Sequence, residues 1–198
     1  VPPEPLSVES VSLFFRYALS LTAWKRLHET TWSLRANPSS GNLHPTEGYL
    51  VTAGVPGIAA GVHHYVSCDH ALERRGEWDE PVELRGILVG LTSIAWREAW
   101  KYGMRAFRYC QHDCGHAIAA MGYAAAALGW RARLLTAPGD AQVATLLGLG
   151  DEAPAAALVA LDAGGTRLGL WHRRPHPRRA LAAPSCWQPA SGSPRRPS

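Results

Sequence analysis

Apolar residues recur at helical spacing near the start of the chain. Val8, Val11, Phe14, Phe15, Ala18, Leu19 and Leu21 approximate one inward face, predicting a helix over residues 8–27 with Ser7 as its cap. Trp24 and Trp32 follow and are expected in the core, because aromatics near element ends usually pack inside. A strand is predicted over 48–53, and Gly54-Val55-Pro56-Gly57 forms a turn. Residues 61–66 and 71–75 flank Ser67-Cys68-Asp69-His70 and predict a β-hairpin. The run 86–92 is apolar throughout, as in a strand covered on both faces. Residues 93–109 interleave Trp96, Trp100, Phe107 and Tyr109 with charges, predicting one or two helices broken near Gly103. A helix follows over 115–128, with Asp113 as its expected cap and Gly129 as its stop. A strand over 131–136, a short helix over 141–147 and a last core strand over 155–162 complete the pattern.

This order contains no regular βαβ repeat, and no Gly-rich dinucleotide fingerprint follows a strand. It predicts an α+β domain of two or three layers. With 198 residues, 46% of them hydrophobic, the chain fits one domain that can bury a core without metal or disulfide staples. The longest nearly apolar run, residues 117–130, is 14 residues long and falls short of the roughly 20 needed to span a bilayer. No membrane association is expected. The amino terminus, Val1-Pro2-Pro3-Glu4-Pro5, has no basic, apolar signal pattern and no initiator Met, so the chain is expected to be processed or incomplete.

Charge divides the chain. Arg173, Arg174, Arg178, Arg179, Arg195 and Arg196 fall within residues 171–198, a segment with six prolines and no acid. The remaining 14 basic residues stand against 16 acidic ones, so the body is near neutral and the pI of 9.1 belongs to the tail. We therefore expect a domain over 1–170 and a disordered extension over 171–198, without the basic fold face a nucleic-acid partner requires. Cys68, Cys110, Cys114 and Cys186 follow no disulfide-framework spacing, which favours a reducing cytoplasm.

The densest candidate chemistry is Asn37-Pro38-Ser39-Ser40-Gly41-Asn42-Leu43-His44-Pro45. Prolines fix φ near either end, Gly41 permits close backbone approach, and the serines and asparagines supply compact donors and acceptors. Together with Arg35 before it and Thr46 to Tyr49 after it, this stretch resembles the flavin-contacting loop of the nitroreductase superfamily, particularly its azoline dehydrogenase (SagB-type) branch. Two further blocks agree in order and spacing. Gly61-Val62-His63-His64-Tyr65 with His70-Ala71-Leu72-Glu73 is similar to that branch's hairpin, and Ala99-Trp100-Lys101-Tyr102-Gly103 through Arg108-Tyr109 and Gly115-His116 is similar to its Lys-Tyr segment and following helix.

The resemblance implies a nitroreductase-like fold, a mainly antiparallel central sheet flanked by helices, assembled as a homodimer with FMN at the subunit interface. It assigns Pro38, Ser39, Ser40, Gly41 and Asn42 to FMN, with Arg35 as a candidate for the flavin's anionic edge or phosphate and His116 near the flavin or dimer seam. It implies catalytic roles for Lys101 and Tyr102: the lysine takes a proton from carbon and the tyrosine orients or relays it. The implied activity is an FMN-dependent oxidoreductase acting on a small-molecule or peptide substrate, through dehydrogenation of peptide azolines or reduction of nitro or quinone acceptors. The alternative is a noncatalytic flavin-binding scaffold partnering a modification complex. Residues 1–6 lack the Arg-Arg-Ser-x-Arg type segment that binds the FMN phosphate in the family, which favours that alternative, and Arg173 and Arg174 are candidates to replace it.

Cys110-x-His112-x-Cys114-x-His116 offers a complete zinc donor set by residue type. On a helix, however, the two Cys and the two His form separate i,i+4 pairs about 160° apart, so no metal is expected.

Overall fold

A computed structural model describes residues 2–149 and 155–163; the expected tail over 171–198, with Arg173 and Arg174, lies outside the described residues. The first helix, α1 (Val8–Ala18), begins with a reciprocal cap: Ser7 N–H donates to Ser10 Oγ at 3.0 Å and Ser10 N–H donates to Ser7 Oγ at 3.4 Å. It is shorter than the periodicity predicts. Residues 19–35 leave the helix and form a separate antiparallel hairpin, β1 (Leu21–Leu27) and β2 (Thr30–Arg35). Thr22, Trp24, Thr30, Thr31 and Trp32 are β-branched or aromatic and suit extended backbone. The turn between them, His28-Glu29, carries no glycine, and His28 takes a left-handed φ of 50°. Trp24 is 62% exposed, so the expectation that it lies in the core is corrected; Trp32 is partly buried.

The main sheet contains β3 (Thr46–Thr52), β4 (Gly61–Val66), β5 (Ala71–Gly76), β6 (Ile87–Ser93), β7 (Arg131–Leu134) and β8 (Ala155–Asp162), in the spatial order β5-β4-β3-β6-β8-β7. Every pairing is antiparallel. Alternation along β6 explains its apolar run: Ile87, Val89 and Leu91 enter one core, and Leu88 enters the other. The first core is closed by α1 and α3 (Ala106–Ala127), through Phe14, Phe15, Ala117, Met121 and Ala125. The second is closed by α4 (Asp140–Leu147), through Val143, Leu146 and Leu147. The result is a three-layer α+β domain.

The helix break near Gly103 is observed. Short α2 (Trp96–Tyr102) stops there, Gly103 takes a φ of 54°, and one 3₁₀ turn leads into α3. The long helix then starts nine residues before the expected 115. Asp113 is consequently not its cap; it lies within α3, fully buried. That correction matters for the site.

Candidate functional site

The loop between β2 and β3 holds a shape imposed by its own side chains. Gly41 and Asn42 take φ values of 60° and 59°, and His44 takes 49°. Asn42 is anchored by donating from Nδ2 to Ser33 O at 2.8 Å, while its Oδ1 pairs with His44 Nε2 at 2.8 Å. Ser39 Oγ accepts from His44 N–H at 2.8 Å and donates to Asp113 Oδ2 at 2.7 Å. Ser40 donates to Asp113 Oδ1 from both its backbone N–H, at 2.9 Å, and its hydroxyl, at 3.0 Å. Asp113 thus clamps the loop to α3 through charge-assisted hydrogen bonds. Ser39, Ser40 and Asn42, assigned to FMN by resemblance, use their side chains to shape the loop. Pro38 and Gly41 remain exposed. Asn37 is fully buried, and neither end of its amide meets a hydrogen-bond partner.

The second block arrives at the tip of this loop. A Cβ built on Gly41 would collide with the Tyr102 hydroxyl and lie 2.8 Å from Lys101 Nζ. Lys101 is exposed, with Nζ 5.3 Å from the centre of the Tyr102 ring. Tyr102 packs on Tyr109 with ring centroids 4.4 Å apart. His116 is half exposed, with Nδ1 4.0 Å from Asp113 Oδ1. The fold therefore brings Gly41, Lys101, Tyr102, Asp113 and His116 into one neighbourhood. Gly41→Ala is expected to displace the loop or the Lys-Tyr pair, because the new methyl meets both side chains and the left-handed φ disfavours an L side chain. Loss of the Lys101 and Tyr102 signals' proximity to the loop in NMR would report it, with destabilisation of about 1 kcal/mol in denaturant unfolding.

Arg35 stands behind the loop. Its guanidinium is almost wholly buried, donates from Nη1 to Thr46 O at 2.9 Å, and places Nη2 4.0 Å from Glu47 Oε1. Arg97 Nη1 donates to the same Glu47 oxygen and, at 2.7 Å, to His44 O. Glu47 Oε2 also pairs with His64 Nε2 at 3.1 Å. Burial alone would raise the Glu47 carboxyl, but the His64 hydrogen bond and the Arg35 and Arg97 charges outweigh it and hold the pKa at about 2. Burial, assisted by Arg35, brings His44 down to about 3, so it is neutral at pH 7. This cluster fastens the loop's carboxyl end to β3, β4 and α2.

Glu47 carries no assignment from the sequence, and Asp113 is read there as a cap; their partners come from segments far apart in the chain. The zinc donor set does not converge: Cys110 and Cys114 are buried free thiols, whereas His112 and His116 are exposed. Among the described residues, no group of three His, Cys, Asp or Glu is placed to hold a metal.

No protein-family model and no curated protein matches this sequence. Solved structures do. A nitroreductase candidate from Anabaena variabilis superposes with a TM-score of 0.71 at 28% identity, over 78% of this chain and 34% of that one. The Escherichia coli microcin synthetase McbBCD complex with truncated pro-MccB17 bound gives 0.68 at 18% identity, over 84% of this chain and 67% of that one. The chain has the nitroreductase fold. A further candidate of that fold, from Ralstonia eutropha, gives 0.64 at 13% identity, over 83% and 77% of the two chains. The chain spans about a third of the length of the Anabaena protein. Among the described residues, no helix of this nitroreductase fold is long and apolar enough to cross a membrane.

Proposed function

We propose that this chain forms the flavin-contacting part of an FMN-dependent oxidoreductase acting on a small-molecule or peptide substrate. The observation that carries the reading is the convergence at Gly41: a loop clamped by Asp113 meets Lys101 and Tyr102, whose side-chain ends a methyl on Gly41 would have to displace. The donor set suits a planar cofactor, with Pro38 and the Gly41 backbone exposed at the loop, Lys101 as a cation beside it, and His116 at the edge. Bound there, FMN would supply hydride acceptance at N5. This chain's residues supply the rest. Lys101 Nζ receives the proton released from substrate carbon, and the Tyr102 hydroxyl holds the reacting group in line.

Trp100, Met104 and Phe107 are exposed beside Lys101, Met104 at 99%. An apolar surface adjoining the site supports burial against a second copy, completing the site as a homodimer. Peptide azoline dehydrogenation is the finer reading and rests on the Lys101-Tyr102 block; nitro or quinone reduction is the broader one. The McbBCD neighbour is a multi-protein complex, which supports the competing reading of a noncatalytic scaffold in a modification assembly.

Desalting the purified protein after incubation with excess FMN tests the proposal. Retained visible flavin bands are expected; a colourless protein would remove the cofactor assignment. Lys101→Ala should keep those bands and lower turnover by about 10²–10⁴-fold. Unchanged turnover at full flavin content would take Lys101 out of the chemistry and favour a site that uses the lysine only as a surface charge.

A further inference from the structure

A cavity of about 440 Å³ lies between α1 and the β4–β5 hairpin, within the roughly 300–1,000 Å³ usual for small-molecule sites. Much of its wall is apolar: Val8 and Val11 from α1, Ile58 from the β3–β4 connection and Leu72 from β5. A hydrogen-bonded chain is built into that wall. Ser12 Oγ lies 2.8 Å from His70 Nε2, and His70 Nδ1 lies 2.7 Å from Tyr65 Oη; all three side chains line the cavity. They come from α1, β4 and the turn before β5, where His70 takes a left-handed φ of 50° that non-glycine residues seldom adopt. Tyr65 is held by stacking on Phe15, with ring centroids 4.4 Å apart. Burial and the nearby Arg16 charge keep the His70 imidazole below its ordinary pKa, and burial pushes the Tyr65 phenol up to about 12, so both groups are neutral at pH 7.

A neutral imidazole donates through one nitrogen and accepts through the other, so both His70 nitrogens are used. Ser12 is not used up. Its hydroxyl makes no other hydrogen bond among the described residues, and in either imidazole tautomer it keeps a lone pair with which to accept. Where Tyr65 donates to Nδ1, Ser12 also has its own O–H to give. A ligand hydroxyl, which both donates and accepts, satisfies either arrangement. Charge narrows the class further. Arg74 lines the cavity, but its Nη1 is 3.1 Å from Glu77 Oε1 and its Nη2 donates to Ala60 O at 3.3 Å. His63, also in the wall, meets Ala59 O at 2.9 Å and is lowered by burial. Among the described residues, the wall therefore offers a carboxylate no unengaged cation. We propose that this cavity binds a neutral apolar alcohol or phenol, with the ligand hydroxyl on Ser12 Oγ and its body against Val8, Val11, Ile58 and Leu72. His70 and Tyr65 act by orienting the Ser12 hydroxyl. The site stands apart from the flavin reading: none of residues 37–45, and neither Lys101, Tyr102 nor His116, lines it.

The probe is 2-naphthol, which is neutral at pH 7. Titrated into the ¹⁵N-labelled full chain without FMN, it should bind saturably and shift the amide signals of Ser12, Ala71 and Leu72 while leaving those of Lys101 and Tyr102 in place. The methyl ether 2-methoxynaphthalene keeps the apolar body and loses the donor, and it should bind about 5–10-fold more weakly, the worth of one hydrogen bond. The anion 2-naphthoate should lose at least as much, because its charge must be desolvated without a partner. Ser12→Ala should weaken 2-naphthol by the same factor and leave the ether unchanged. His70→Asn, whose substituted residue accepts a left-handed backbone, should do likewise. Equal affinity of wild type for the ether or the naphthoate overturns the proposal, and so does the absence of saturable shifts or their confinement to the Lys101-Tyr102 neighbourhood. This ligand series is read on wild type alone, so it decides the matter even where a variant fails to fold.

Discussion

Asp113→Ala is expected to destabilise the domain by about 3–5 kcal/mol and to abolish FMN retention, because three donors of the loop lose their charged acceptor at once. The wild-type carboxylate accepts from Ser39 Oγ, Ser40 N–H and Ser40 Oγ, all between 2.7 and 3.1 Å. Hydrogen bonds to a charged acceptor contribute about 1.5–3 kcal/mol each, and they are not additive, so the total falls well below their sum. The loss should not be confined to stability. Without the clamp, nothing from α3 holds the turn at Gly41 and Asn42 in its left-handed backbone, and the loop can no longer present one surface to a ring. Asp113→Asn should be milder, since one carbonyl oxygen still accepts while the amide nitrogen opposes a donor. Urea unfolding and flavin retention measured on the same preparations check both halves. A variant with an unchanged midpoint and full flavin content would show that the loop holds its shape without α3.

What the sequence made legible follows from how local each signal is. Gly103 and Gly129 end helices where expected, because a left-handed φ is a one-residue requirement that glycine meets. The buried character of β6 was readable because both faces of one strand report on their covering in a single run of seven residues. The first helix was overextended because Leu19 and Leu21 continue an apolar spacing that fits either a helix or the start of a strand. The turn at His28 gave no compositional warning. Asp113 reads locally as a cap, and only the packing of α3 against a loop 74 residues away makes it a clamp. Arg35 reads as a free cation before a polar loop, whereas Glu47, Arg97 and Thr46 converge on it within the interior. The loop was visible as composition, and the Lys101-Tyr102 pair through the resemblance of its block. Their meeting at Gly41 was not, because it depends on α2 lying across the loop in three dimensions.

Arg97→Met carries the other large expected effect, again a loss of about 3–5 kcal/mol at pH 7. Methionine keeps much of the side-chain volume, so the change isolates the charge. In wild type the Arg97 guanidinium is 1% exposed and joins His44 O to Glu47. Removing it leaves the Glu47 carboxylate with His64 at 3.1 Å and Arg35 at 4.0 Å. The pH dependence gives the signature. Glu47 has a folded pKa of about 2, below its ordinary value, so its contribution is fully present above the unfolded-state pKa, roughly 4.3, and is lost as pH falls through 2. His44 acts at higher pH: its folded pKa of about 3 lies below the unfolded value, roughly 6.5, so protonation favours the unfolded chain as pH drops from 6.5 to 3. Arg97 lowers both groups. Its removal therefore weakens the Glu47 contribution and relieves part of the His44 penalty, and both changes narrow the gap between wild type and variant in acid. Unfolding free energies at pH 7 and pH 3.5 should converge accordingly. Parallel losses at the two values would mean that Arg97 stabilises the domain by packing its stem, and that the charge network around Glu47 is not what holds the loop's carboxyl end in place.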